Sequence, residues 1–282
     1  MADGDRVAVI RVGEHGPGLA TRRIDLAVLG LVALRRSAAA AGLPPLPPDL
    51  VVEPSPAAAA LAGIDVEAEV ARAAALLREH HVLDDDGPVP AVAANLAAVV
   101  TAPRRLRVAL EGPGTSLVAY HWVDARIAGS LVREDRRCVL SLFDARRWGD
   151  ELVAPLPDPA VVDGPRRAGF TVPAGSLTTL AALEDLPSQA LGQVGLLAGA
   201  DPAVVTAVQA WGERTEAVLH VTVPQTRPER LPAALVWFLD RWGWYSARTG
   251  HADDGTRTVT VAPARRDDLR AAVAALVTGA WT

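Results

Sequence analysis

The sequence predicts the same order of helices and strands twice, and this repeat constrains the possible fold more than any other feature. Pro-Ala-Val opens an apolar helical segment at Pro90 and again at Pro202, 112 residues later. A strand-like run occurs at Leu117 and again at Leu235, 118 residues later, so a hairpin loop is six residues longer in the second copy. Residue identity between the copies is low, but their element order and spacing agree. We therefore interpret the chain as a duplicated unit that forms one pseudo-symmetric body.

Local patterns place these elements in a single predicted domain, residues 1–282, with halves at about 63–155 and 175–279. A connector rich in proline and glycine, residues 155–169, separates the halves. Each half predicts a meander of four strands. The predicted strands are Leu106–Leu110, Leu117–Val123, Arg126–Arg133 and Arg137–Phe143, then Thr215–Val223, Ala233–Leu239, Gly243–Arg248 and Arg257–Val261. Short turns imply antiparallel pairing, so the predicted fold class is α/β of the α+β kind, with a central antiparallel or mixed β-sheet and helices grouped against it.

Local signals also predict the limits of elements outside the meanders. Arg6–Val12 alternates as a strand does. Thr21 is predicted to cap a helix that runs to about Ala41, and Asp65 is predicted to cap the following helix. A further helical segment is predicted at Leu177–Leu183.

The composition excludes several kinds of catalytic and redox chemistry. All 28 basic residues are arginines, so no lysine can serve in a phosphate loop, in a Schiff base or as a general base. Cys138 is the only cysteine, which excludes an internal disulfide and a CxxC metal site. The adjacent His80 and His81 would point about 100° apart on a helix, and no HExxH or GxSxG motif occurs. The sequence therefore predicts no catalytic residue, no metal site and no cofactor.

The charge and hydropathy patterns argue against nucleic-acid and membrane partners. The net charge is −5, and the arginines occur in scattered pairs instead of one basic stripe, which does not favour phosphate binding. The longest strongly apolar run, Leu26–Leu34, is too short to span a bilayer. The acidic N-terminus has no apolar signal region behind it, so we expect a soluble, intracellular protein.

Five of the twelve aromatic residues lie between Trp237 and Tyr245, in a predicted strand–turn–strand. Alternate residues of a strand face opposite sides of a sheet. Some of these aromatic side chains should therefore pack under helices, and burial is the more common outcome for any single one. An exposed pair would suit the binding of a protein partner.

Short motifs in both halves resemble those of the EspG family, which is associated with ESX (type VII) secretion. In the second half the matching residues are Trp237, Asp240, Gly243 and Tyr245, followed by Pro263, Asp267 and Leu269 in a closing helix. In the first half they are Ala41–Leu46, Leu77–Val82 and the segment from Asn95-Leu96 to Pro103. The resemblance in element order covers nearly the whole chain, so it concerns the fold of the entire protein.

The resemblance implies a non-enzymatic, cytoplasmic chaperone from an actinobacterium. Proteins of this family bind helical PE–PPE heterodimers at the tip of the PPE partner and cover its apolar end, which keeps it soluble for export. The implied fold is a central sheet with helical bundles from each half in a quasi-two-fold relation. By this analogy a PE–PPE-like client docks on Thr215–Val223, Ala233–Leu239 and nearby helices. The implied partner-binding residues are Trp211, Trp237, Trp242 and Trp244.

Two other functions stay open at this point. An enzyme could combine scattered carboxylates with His121 or His220, and a deep pocket holding a perturbed acid beside one of these histidines would favour it. A structural homodimer could instead use the aromatic surface for self-association.

Overall fold

A computed structural model describes residues 8–13, 21–51, 55, 61–135, 137–158, 169–175, 201–212, 215–223 and 233–278 of the chain. Within these ranges the strands are β1 (Ala8–Gly13), β2 (Thr21–Ala27), β3 (Arg105–Gly112), β4 (Thr115–Asp124), β5 (Ile127–Glu134), β6 (Arg137–Asp144), β7 (Phe170–Pro173), β8 (Ala217–Val223), β9 (Ala233–Asp240), β10 (Gly243–His251) and β11 (Arg257–Ala264). The helices there are α1 (Val28–Ala40), α2 (Val66–Glu79), α3 (Pro90–Thr101), α4 (Trp148–Val153), α5 (Pro202–Gly212) and α6 (Arg266–Thr278).

The described strands form one eleven-stranded sheet in the order β1-β2-β6-β5-β4-β3-β8-β9-β10-β11-β7. Each neighbouring pair is antiparallel. Two four-stranded meanders, β3–β6 and β8–β11, meet at the centre, where Val108 of β3 lies opposite Val221 of β8. The predicted α+β fold with an antiparallel sheet is confirmed.

The sheet order is the one that a duplicated unit would produce, with one meander from each copy. The duplication and its limits at about 63–155 and 175–279 stay a prediction. Most of the predicted connector, 155–169, and the predicted helix Leu177–Leu183 lie outside the described residues.

The two faces of the sheet carry separate hydrophobic clusters. On β4, Tyr120 and Trp122 join the cluster beneath α1, α2 and α3, whereas Leu117 and Ala119 join the opposite cluster beneath α4 and α6. This division follows from the period of two in a strand. We call the first side the α1 face and the second the α6 face.

Helix α2 begins where the sequence predicts. The side chain of Asp65 accepts hydrogen bonds from the backbone amides of Glu67 and Ala68, both at 3.1 Å, and so caps the helix. Val70, Ala73 and Leu77 of this helix are buried against the α1 face. The cap and the apolar spacing agree, which explains why this prediction is confirmed.

The helix predicted from Thr21 is wrong at its start, because Thr21–Ala27 forms β2 and the helix begins only at Val28. Strand β2 pairs with β6, and alternation places Leu26 in the core while Asp25 binds Arg137 at 2.9 Å. The backbone of β6, at the edge of the meander, supplies hydrogen-bond partners for β2, and local helix propensity gives no information about this pairing. The strand predicted at Arg6–Val12 is present as β1.

Candidate partner-binding site

A cavity of about 450 Å³ opens between α5 and the α1 face of the second half of the sheet. We call it the α5 cleft, and its lining residues are Glu111, Gly112, Pro113, Phe170, Val208, Trp211, Thr215, Glu216, Ala217, Val218, Phe238, Ala247, Val259 and Val261. Most of these residues are apolar. A concave apolar surface of this size suits the burial of apolar groups from a ligand or partner.

Trp211 forms the aromatic wall of the α5 cleft. Its ring meets the Tyr245 ring edge-on, with centroids 4.4 Å apart and planes at 87°. The rings of Phe170 and Phe238 lie 5.6 Å and 6.1 Å from it. Such contacts stabilise packing by about 0.5–1.5 kcal/mol per pair. Tyr245 is fully buried whereas Trp211 is partly exposed, so Trp211 connects the core to the open cleft.

Hydrogen bonds at both ends of α5 stabilise the helix that carries Trp211. At the start, the Asp201 side chain accepts from the backbone amide of Ala203 at 2.7 Å. At the end, the backbone amide and the hydroxyl of Thr215 donate to the carbonyl oxygen of Trp211, at 3.0 Å and 2.9 Å. These contacts satisfy helix-end groups that would otherwise lack partners.

Two glutamates stand at the rim of the α5 cleft where β3 and β8 meet. Glu111 lies opposite Val218 in the β3–β8 pair, and Glu216 directly precedes β8. Both carboxylates are exposed. A Cβ atom on Gly112 would overlap the carbonyl oxygen of Glu216, so the two backbones approach closely here because residue 112 has no side chain.

The structure brings only one of the four sequence-predicted tryptophans to the cleft. Trp237 and Trp244 are 2% and 4% exposed and lie in the core of the α6 face. These two tryptophans therefore offer almost no surface to a partner, and we no longer propose them as contact residues. The cause is alternation along β9, which turns Trp237 under α6 and its neighbour Phe238 into the cleft.

Trp242 lies in the turn between β9 and β10 and is not among the residues that line the cleft. The guanidinium carbon of Arg241 lies 4.2 Å from the centroid of its ring. The buried Asp240 accepts from the amides of Trp242 and Gly243, at 2.8 Å and 3.0 Å, which fixes the turn. Trp242 is partly exposed, so it stays a candidate contact beyond the cleft.

Val218 and Phe238 lie in the two strands that the family resemblance implies for docking, but sequence reasoning did not single them out as contact residues, and it missed Phe170 altogether. The two-residue alternation around Trp237 could have identified Phe238 as the outward neighbour. No local signal brings Phe170 to the cleft, because it arrives on β7, which pairs at the far edge of the sheet with β11.

The two histidines that the sequence offers as catalytic candidates, His121 and His220, do not line the α5 cleft. His121 is 0% exposed, burial lowers its pKa to about 4, and it lines neither the α5 cleft nor a second cavity near His80 and His81. Burial first, and then the charge of Asp49, raises the pKa of Tyr120 to about 12. The described residues contain no group of three or more histidine, cysteine or acidic side chains that could hold a metal ion.

Asp49 ties the loop that follows α1 to the sheet. Its carboxylate accepts from Arg107 Nε at 2.7 Å and from the Tyr120 hydroxyl at 3.0 Å, and its carbonyl oxygen accepts from Arg133 Nε at 3.2 Å. Arg107, Tyr120 and Arg133 on the α1 face therefore have a structural role, because they hold this loop against the sheet. Among the described helices, none is long and apolar enough to cross a membrane.

The fold is similar to that of a protein of known structure. No protein-family model and no curated protein matches the sequence. The structure is similar to that of the Mycobacterium tuberculosis type VII secretion system chaperone EspG5, solved in complex with the PE25–PPE41 dimer. The TM-score is 0.56 and the identity 18%, over 90% of this chain and 95% of EspG5. The chain therefore has an EspG-like fold.

Proposed function

We propose that this protein is a non-enzymatic chaperone of the EspG family that binds helical PE–PPE-like heterodimers in the cytoplasm and keeps them soluble for type VII secretion. The supporting observation is the fold shared with EspG5 over nearly the full length of both chains, together with an open apolar cleft. The similarity in sequence motifs points in the same direction.

The α5 cleft provides the physical means for such a function. An apolar helix tip is poorly soluble while it is exposed, and each large apolar side chain that it buries contributes roughly 1.5–3 kcal/mol. Trp211, Phe238 and Val218 line the cleft and are already partly exposed, so a partner can contact them without rearrangement of the core. We propose that the client tip enters here, on the strand pair β8–β9 beside α5.

Co-expression with the PE/PPE-like pair encoded nearest to this gene tests the proposal. We expect a stable 1:1:1 complex in size-exclusion chromatography with light scattering, and a client that is insoluble when expressed alone. A client that is soluble unaided and forms no complex would contradict the chaperone function. A dimer of this chain alone under the same conditions would favour self-association.

Filling the cleft tests whether it is the docking site. Ala247 lines the cleft and is partly exposed, so Ala247→Leu should weaken client binding by about tenfold or more without removing any packing contact. Trp211→Ala should weaken it similarly by removing a contact anchor. Binding is measured by isothermal titration calorimetry. Ala94→Leu adds the same atoms to an exposed site on α3 and should bind as the wild type does. Wild-type affinity in both cleft variants would exclude this site.

A further inference from the structure

The charge distribution around the α5 cleft is one-sided. Its lining includes the two carboxylates of Glu111 and Glu216, and none of its described residues is basic. Within the described part of the chain neither carboxylate forms an ion pair. Exposed glutamates carry a negative charge at neutral pH. The described lining of this apolar cavity therefore carries only negative charge.

The two carboxylates are held on the same rim by the fold. Gly112 follows Glu111, and its backbone packs against the backbone of Glu216 and Ala217 so closely that a side chain would not fit. Their strands are hydrogen-bonded neighbours, with Glu111 opposite Val218. The backbone thus places both glutamates at one rim of the cleft, whose lining also includes the aromatic ring of Trp211.

We propose that the segment entering the α5 cleft carries a basic residue, arginine or lysine, next to its apolar anchor side chains. This inference rests on the proposed function and specifies the chemistry of its client. Apolar burial alone would accept any exposed apolar tip. The glutamates add selection, because a basic flank pairs with them whereas an acidic flank is repelled. Aromatic rings beside the carboxylates also favour a cation over an anion.

Charge reversal at the rim tests this proposal with the client. Glu111→Lys and Glu216→Lys should each weaken binding about fivefold, and together about twentyfold, at low ionic strength of about 0.05 M. The loss should shrink at about 0.5 M salt, because exposed charges are screened there. Glu79→Lys on α2 makes the same change in net charge far from the cleft and should leave binding unchanged. Changing the client's basic flank to glutamate should restore binding to the doubly reversed protein.

A pair of small probes tests the same chemistry without any client. Octyltrimethylammonium and octanoate have similar apolar chains and opposite head-group charges. By calorimetry we expect the ammonium to bind the wild type about tenfold more tightly than octanoate does, and the doubly reversed protein to invert this preference. If the doubly reversed protein fails to fold by circular dichroism, Glu111→Gln with Glu216→Gln replaces it and should abolish the preference.

The outcomes separate this proposal from the proposed function. A client that binds the wild type and the folded doubly reversed protein equally well at low salt would overturn the charge selection and leave the chaperone function standing. A wild type that binds no client would contradict the chaperone function, and the probes would then decide the charge selection alone. Octanoate binding as tightly as the ammonium would overturn it.

Discussion

At the scale of single residues, His121 combines full burial with the ability to gain a charge. It lies on β4 between Leu106 and Ser130 of the neighbouring strands, and both ring nitrogens lack a hydrogen-bond partner among the described residues. Burial lowers its pKa from 6.5 to about 4, because the protonated ring would lose its hydration. The folded protein therefore holds this ring neutral under conditions where the unfolded chain would protonate it.

We predict that this histidine makes stability depend on pH. The folded pKa lies below the unfolded one, so the stabilisation is present above about pH 6.5 and is lost as the pH falls toward 4, by about 3 kcal/mol. His121→Leu should unfold in urea with a weaker dependence on pH across this window. His251→Gln, at an exposed histidine, should keep the wild-type dependence. An equal slope in His121→Leu and the wild type would show that the ring is not held neutral.

The aromatic residues show how far the sequence alone could predict the site. Their clustering predicted a strand–turn–strand that contributes Phe238 to the lining of the α5 cleft, and the period of two predicted that neighbouring side chains would face opposite sides of the sheet. Which of Trp237 and Phe238 faces outward depends on where α6 packs, and that helix comes from the far end of the chain. The local sequence pattern therefore cannot tell which of these two side chains faces the α5 cleft.

At the scale of elements, the junction of β3 and β8 depends on a glycine. A Cβ atom on Gly112 would overlap the carbonyl oxygen of Glu216 and lie 3.0 Å from Ala217 Cα. These are backbone atoms, so relief requires the two strands to move apart. The close approach also sets the position of both rim glutamates.

We predict that Gly112→Ala lowers the free energy of unfolding by about 1–3 kcal/mol, because the added methyl group forces a backbone shift. The matched change Gly250→Ala, on β10, meets its nearest atom at 3.6 Å and should cost within about 0.5 kcal/mol. Chemical denaturation of both variants measures the difference. Equal stability of the two variants would contradict this prediction and would mean that β3 and β8 can move apart at Gly112 without loss of stability.

Most strands of the two meanders were predictable because alternation and turn residues lie close together in the sequence. The sequence predicts a strand at Arg137–Phe143, and β6 runs from Arg137 to Asp144. Elements that depend on distant partners were missed. Strand β2 exists because β6 offers it an edge, and β7 exists because β11 does. Such pairings are long-range, and local periodicity carries no information about them.

At the scale of the whole molecule, the two meanders share one core on the α6 face. Leu110 and Leu117 of the first meander lie in the same cluster as Leu219 and Trp237 of the second. Helices α4 and α6 join this cluster and are linked by the ion pair of Arg270 with Asp150 at 2.8 Å. Because this cluster crosses the β3–β8 junction, neither half can lose its packing without exposing apolar surface of the other.

We therefore predict that the two halves of the chain unfold together as a single domain. Thermal unfolding followed by far-ultraviolet circular dichroism and by tryptophan fluorescence should give coincident transitions, since Trp122 reports on the α1 face while Trp237 and Trp244 report on the α6 face. The calorimetric and van't Hoff enthalpies should also agree. Two resolved transitions would contradict the single domain and would mean that each meander, with its own helices, is stable without the shared cluster.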